Sequence, residues 1–365
     1  MVSVLVTSRI LNITPAHQLK LSLFILSHLP KKKLSPYSTM SKPKLLVVRD
    51  DIFRDLPAFD VLREMFDIDT YPASAGRIPR DVFLQKLKGC SALICVPHQK
   101  VDKEALDKSG KQLKVITSYS VGYDHMDINE IKSRGIRVGT VGDCQSDTVA
   151  EFNIGLAIAV SRKFQQGRNY ISSGEWARSQ SGNCRTDIVG LNNATVGIVG
   201  LGKIGLATAQ LLKAFKVSKI LYTSRQIKQE GTDLGAQLVP LDTLCAESDF
   251  IFITCALTKD TEGLVGGKQI SLMKPSAIVI NTSRGGLIDQ DALVEALREK
   301  KIRGAGLDVM IPEPLPGDHP LVQLENCVLT PHSSSATKEL RDTMSVISAE
   351  NIIRGYKGEP MIFEL

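Results

Sequence analysis

The stretch "TVGIVGLGKIGLATA" (195–209) constrains this chain most, because its glycines are useful only in one local structure. An apolar, β-branched run ends at Gly200; Gly202 and Gly205 follow in G-x-G-x-x-G register, and a helical pattern opens directly afterwards. Gly200 permits a tight turn, Gly202 lets the backbone approach a pyrophosphate, and Gly205 lets the helix lie close on the strand. Lys203 and Ile204 fall in the same loop, at a helix N-terminus whose unpaired N–H groups face an anion. The next apolar run, "KILYTSR", arrives at the spacing of one βαβ unit. A glycine-rich turn serving packing alone would not need that whole succession, so the segment is expected to bind a dinucleotide.

At the end of that next strand, an NAD site usually carries an Asp or Glu that accepts from the ribose 2′-hydroxyl. This chain has Ser224 and Arg225 there, with Lys228 three residues on. A hydroxyl and two cations suit a 2′-phosphate, whereas a carboxylate would repel it. NADPH is therefore the expected cofactor, with NADH weaker; a solvated basic turn is the alternative.

From Lys44 onward, short β-branched runs alternate with helical stretches, the pattern of a parallel sheet covered by helices on both faces. "KLLVVRD", "ALICVP" and "KVITSYS" read as strands of a first α/β unit ending near Asp143. A helix of about four turns should follow from Ser146, a plausible N-cap with Asp147 in the first turn. "ATVGIVG", "KILYTS", "FIFITC", "AIVINTS", "GAGLDV" and "CVLTPH" then read as strands of a second unit. The last helix, "ELRDTMSVISAENIIRGYKG", has an apolar face (Leu340, Met344, Ile347, Ile352, Ile353) that must pack on something, and the first unit is the expected partner. The fold class is α/β with two doubly wound parallel-sheet domains. Residues 44–145, completed by 334–365, form one domain; 146–333 form a Rossmann dinucleotide-binding domain with its connecting helix; 1–43 are an extension.

The net charge of +6 has a local source. Arg9, Lys20, Lys31, Lys32, Lys33, Lys42 and Lys44 lie in a start that holds no Asp or Glu, which leaves the remainder near neutral. With no basic, aromatic-rich stripe elsewhere, no nucleic-acid partner is expected. The acid-free start, with a second methionine at Met40, is compatible with a mitochondrial presequence or with a disordered extension; without such targeting the expected compartment is the cytosol. "VSVLVTSRI" and "PKLLVVRDD" both resemble an opening strand, and the second is favoured because the domain continues from it unbroken. The apolar part of "LKLSLFILSHLP" spans about half of the ~20 residues a membrane helix needs, so no membrane partner is expected. The 7 cysteines are scattered without C-x-x-C spacing, which argues against a disulfide framework and a metal site.

Three segments after the glycine loop bring polar groups to strand ends, where such sheets bind ligands. "INTSRGGLID" offers Arg284, "GLDVMIPEP" offers Asp308 and Glu313, and "TPHSSSAT" offers His332. Reducing a 2-oxo acid needs a cation to hold its carboxylate and polarise its ketone; Arg is a forked donor for that task. It also needs an acid that titrates near neutrality, and a carboxylate beside a histidine stabilises the imidazolium.

In this order, G-L-G-K-I-G, N-T-S-R-G, G-L-D-V followed by E-P, and P-H-x-x-S-A-T resemble the D-isomer-specific 2-hydroxyacid dehydrogenases over about residues 44 to 365. Within that family the "VGYDHMD", "YTSRQ" and "EPLPGDHPL" segments are most similar to the branch that reduces glyoxylate to glycolate and hydroxypyruvate to D-glycerate with NADPH. The resemblance implies Arg284 as substrate binder, Glu313 as the histidine's partner and His332 as general acid. It implies that the N–H groups of Val121 and Gly122 hold the substrate carboxylate and that Ser335 touches substrate. Asp308 would orient the nicotinamide carboxamide, with Thr282 and Ser334 along the cofactor. It implies further that the first domain is a flavodoxin-like substrate domain and that the protein is a homodimer.

Three positions depart from the pattern. Ser334 stands where the family usually has glycine, Ala256 replaces a hydroxyl residue expected near the cofactor, and "GEWARSQSGNCRTDIVG" keeps only Trp176 of three tryptophans. A dinucleotide-sensing, corepressor-like binding protein on the same fold is the alternative from another functional class; Ser224 with Arg225 speaks against it. Other 2-hydroxy acids remain open as substrates.

Overall fold

In the computed structural model, described for residues 41–52, 56–178 and 187–365, the strands fall into two sheets, each parallel throughout. The chain divides into two compact units: the first runs to Cys144 and resumes over Thr337–Leu365, and the second is Gln145–Ala336. The proposed presequence and the competing opening strand, within residues 1–40, lie outside the described residues.

The first sheet comprises β1 (Lys44–Val47), β2 (Asp67–Thr70), β3 (Cys90–Cys95), β4 (Val115–Ser118) and β5 (Arg137–Gly139), in the order β2-β1-β3-β4-β5. This is the flavodoxin-like order. All six residues of β3 are buried, which is why "CSALIC" is continuous rather than alternating. The edge strands β2 and β5 escaped the sequence reading: β2 is "DIDT", exposed or half-buried throughout, and β5 is three residues long. Neither carries an apolar run.

The helix Lys338–Lys357 packs on β3, β4, β5 and the helix Pro57–Met65. Ala349, Ile352 and Ile353 join the core of this unit, and Leu340, Met344 and Ile347 form a second cluster with Val141. Fully buried Asn351 donates to Thr140 O at 2.8 Å and accepts from Ile362 N at 2.9 Å, tying the C-terminal tail to the end of β5. The chain rejoins this unit at Thr337, not at 334. The N–H groups of Ser333 and Ser334 donate to Asp308 in the second unit, and Thr337 is the cap that starts the helix.

The second sheet comprises β6 (Thr195–Val199), β7 (Lys219–Thr223), β8 (Gln237–Leu238), β9 (Phe250–Ile253), β10 (Ile278–Asn281), β11 (Gly304–Leu307) and β12 (Cys327–Leu329). Its order, β12-β11-β10-β9-β6-β7-β8, is that of a Rossmann sheet with one added strand, and the direction of winding reverses between β6 and β9. Two-residue β8, exposed at both positions, was not foreseen. The helix Ser146–Ser161 begins one residue earlier than expected: Ser146 is already helical, and Gln145 stands at the cap without a side-chain bond. Among the described residues no helix is long and apolar enough to cross a membrane.

Candidate active site

The glycine loop lies between β6 and the helix Lys203–Ala214. Gly200 has φ +96°, and a Cβ there would stand 2.6 Å from Cys255 Cβ. A Cβ on Gly205 would stand 2.3 Å from Gly200 O, so helix and strand meet only because this position is bare. At Gly202 a Cβ would meet nothing within 4 Å. Of the three, the glycine assigned to the pyrophosphate is thus the one facing open space. Gly202 also caps the helix without a side-chain acceptor, so the first-turn N–H groups, at Lys203 and Ile204, remain available to an anion. Thr254, just past β9, fixes the loop by donating to Gly200 O at 2.7 Å. The sequence reading missed Thr254, although a hydroxyl directly after the strand beside the winding reversal is a signal for it. Nearby Ala256 is exposed, and its carbonyl accepts from Thr261 at 2.7 Å.

Past β7, the Ser224 hydroxyl donates to Gln226 O, so its proton is committed to the turn. Arg225 is exposed at this strand end, as is Lys228 three residues on.

Asp308, fully buried after β11, organises the segment that carries the histidine. Its Oδ1 accepts from Thr330 Oγ1 at 2.7 Å and from Ser333 N at 2.8 Å, and its Oδ2 accepts from Ser334 N at 2.9 Å. Its carbonyl accepts from His332 N at 2.9 Å. His332 is thereby held in the left-handed region, at φ +53°. Ser334 is buried and Ser335 half-buried on the same loop. The resemblance assigned Asp308 to the nicotinamide; in this chain its carboxylate is first of all the acceptor that shapes the His332 loop. Thr330, the hydroxyl in that set, was not foreseen.

His332 Nδ1 lies 2.8 Å from Glu313 Oε2, and Glu313 Oε1 accepts from Met310 N at 3.1 Å. Burial pushes the Glu313 pKa up, but the His332 bond and charge, the Met310 N–H and the Arg284 charge together hold it below its usual 4.5. An ionised carboxylate only accepts, so Nδ1 carries a proton and Nε2 is the nitrogen left for chemistry. Arg284 follows β10, and its segment packs against the segment leading to Glu313. A Cβ on Gly285 would stand 2.6 Å from the Met310 carbonyl, so the glycine after Arg284 is what permits this approach.

Thr282 faces inward. Its hydroxyl donates to Asn153 Oδ1 at 2.7 Å, and Asn153 Nδ2 donates to Thr208 at 3.1 Å, all three residues buried. The proton of its hydroxyl is thus committed to the interior.

The second unit therefore brings together Arg284, Asp308, Glu313, His332, Ser334 and Ser335, whereas Val121 and Gly122 belong to the first. These two follow β4, are half-buried, and among the described residues their N–H groups donate to no backbone carbonyl.

Residues 154–334 match the family model described as D-isomer specific 2-hydroxyacid dehydrogenase, NAD binding domain. The chain is 44% identical over 290 residues to the glyoxylate reductase/hydroxypyruvate reductase of Mus musculus, covering 79% of this chain and 88% of the relative. The chain belongs to the D-isomer specific 2-hydroxyacid dehydrogenase family. The Homo sapiens glyoxylate reductase/hydroxypyruvate reductase is 43% identical over 310 residues, or 84% of this chain and 92% of that protein. A solved structure, the NADPH-dependent glyoxylate/hydroxypyruvate reductase from Sinorhizobium meliloti in complex with NADP and malonate, superimposes with a TM-score of 0.75 at 29% identity. That match covers 89% of this chain and 97% of that one. The protein is a D-2-hydroxyacid dehydrogenase, and its cofactor is a nicotinamide dinucleotide.

Proposed function

We propose that this dehydrogenase reduces small 2-oxo acids, glyoxylate to glycolate and hydroxypyruvate to D-glycerate, with a preference for NADPH. The observation that carries the proposal is the 2.8 Å His332–Glu313 pair, on the unit that holds the glycine loop and Arg284. A bound NADPH supplies a hydride to the ketone carbon. Arg284 draws charge toward the ketone oxygen and binds the substrate's carboxylate, for which the Val121 and Gly122 N–H groups are the further donors the resemblance implies. As negative charge develops on the ketone oxygen, His332 Nε2 delivers its proton there, and ionised Glu313 stabilises the imidazolium until it does so. Steady-state rates with glyoxylate, hydroxypyruvate and pyruvate, each with NADPH and NADH, test the proposal. If neither cofactor is oxidised with any of the three, it fails.

The cofactor preference rests on Arg225 and on the missing acidic residue after β7. Arg225→Ala should raise KM for NADPH about tenfold, the size of one lost charge-assisted bond, and leave KM for NADH nearly unchanged. Equal effects on the two cofactors would refute the assignment to the 2′-phosphate.

The proposal includes a homodimer. In the helices Phe164–Ser172 and Glu175–Arg178, Phe164 and Ile171 are each 60% exposed and Trp176 is 53% exposed. Exposed side chains of this size favour burial against a second copy. Phe164→Asp should shift the sedimentation profile from dimer toward monomer, and a wild-type profile identical to that variant's would count against the assignment.

A further inference from the structure

The turn after β4 is fed by a buried polar chain that the reaction does not use directly. Ser120 Oγ donates to Gly122 O at 2.6 Å. Its oxygen can then only accept from Ser118 Oγ, 2.7 Å away, so the Ser118 proton points at Ser120. Ser118 Oγ is then left to accept; His125 Nε2 faces it at 3.2 Å, and the Cys95 thiol lies 3.8 Å from the same nitrogen. With Nε2 protonated the chain runs in one direction: His125 Nε2–H to Ser118, Ser118 to Ser120, Ser120 to the Gly122 carbonyl. Ser118 is fully buried, His125 is 8% exposed and Ser120 is 9% exposed. Polar groups buried to this degree cost stability unless every one is bonded, and apolar side chains of similar size would fill the same space without that cost.

The outlet of the chain is Gly122, the residue in this turn with the most backbone freedom to lose. Between the two serines, the Tyr119 hydroxyl donates to Arg341 O at 2.9 Å in the last helix, so the turn is held from both faces. We infer that His125, Ser118 and Ser120 are positioning residues, which order the Ser120–Gly122 turn in advance so that the Val121 and Gly122 N–H groups stand ready for the substrate carboxylate. This rests on the proposal that the turn receives that carboxylate. Ordering the turn beforehand removes an entropic cost from substrate binding, so the effect belongs in KM rather than in kcat.

The test uses the full chain. Ser120→Ala should raise KM for glyoxylate about tenfold, the effect of losing one oriented hydrogen bond, while kcat and the NADPH dissociation constant stay within about twofold. Ser120→Thr should restore KM, because it restores the hydroxyl. Should Ser120→Ala not fold, Ser118→Ala removes the preceding link and is expected to act the same way. A KM unchanged in the alanine variant overturns the inference; so does a rise in KM accompanied by comparable losses of NADPH affinity and melting temperature, which marks a purely structural role. Nitrogen-15 spectra of the imidazole should show His125 protonated at Nε2, and a bare Nε2 overturns the relay. If the wild-type protein reduces no 2-oxo acid, the functional proposal fails, and the His125 spectrum still judges the relay separately.

Discussion

Replacing His332 with asparagine is expected to lower kcat by about 10²-fold or more, with little change in the NADPH dissociation constant. Asparagine is the informative substitution because His332 sits at φ +53°, a region that asparagine tolerates and most other residues resist. The loss then reports the missing acid rather than a refolded loop. Glu313→Gln should lower kcat by a smaller factor, about tenfold, since the imidazole keeps its partner's shape and loses its charge. That variant also has a pH signature. The folded-state pKa of Glu313 is depressed below 4.5, so the folded chain binds fewer protons than the unfolded chain as pH falls. Its contribution to stability is fully present above 4.5 and is lost as pH falls through the depressed value. Melting curves of the wild type should thus lose stability across that acid window by more than those of Glu313→Gln. Parallel curves would show that the carboxylate is not coupled to folding, and wild-type turnover in His332→Asn would remove the histidine from the mechanism.

Asp308→Ala is expected to cost about 2–4 kcal/mol, because it takes one acceptor from three donors at once: Thr330 Oγ1, Ser333 N and Ser334 N. For a unit of this size the melting temperature should fall by roughly 5–10 °C. Catalysis should fall as well, since the peptide that holds His332 in its left-handed conformation hangs from the same residue. Thr330→Val removes one of the three donors and should lie between wild type and Asp308→Ala in both measures. If Asp308→Ala melts like the wild type, the loop is held by something other than this carboxylate.

How much of this was legible in the sequence varies with the kind of signal. The glycine loop could be read outright, because G-x-G-x-x-G after a strand states both a turn and a close approach; Gly200 and Gly205 are limited in the way their positions imply, and Gly202 faces open space. The central strands were legible for a related reason: strands buried on both faces are continuous apolar runs. β2 and β8 are edge or very short strands of exposed and half-buried residues, and β5 is three residues long with Val138 and Gly139 buried, so no apolar run separates any of them from loops. Ser146 misled because a serine before an apolar periodic run suits a cap equally well as a first turn. The partner of the Thr282 hydroxyl was not legible, because a strand-end hydroxyl looks the same whatever it bonds, here Asn153, 129 residues away along the chain.

By itself, the sequence determined the two parallel sheets and the strand–glycine turn–helix unit, and it placed Arg284, Glu313 and His332 at successive strand ends, since each of these is written in local spacing and residue chemistry. Only the tertiary structure decided what holds them. That Asp308 clamps the His332 loop, that Thr254 pins Gly200, and that His125 reaches the Gly122 carbonyl through two serines are facts about directions of buried hydrogen bonds. Such directions arise when distant segments are packed against one another, and a one-dimensional pattern carries no record of them.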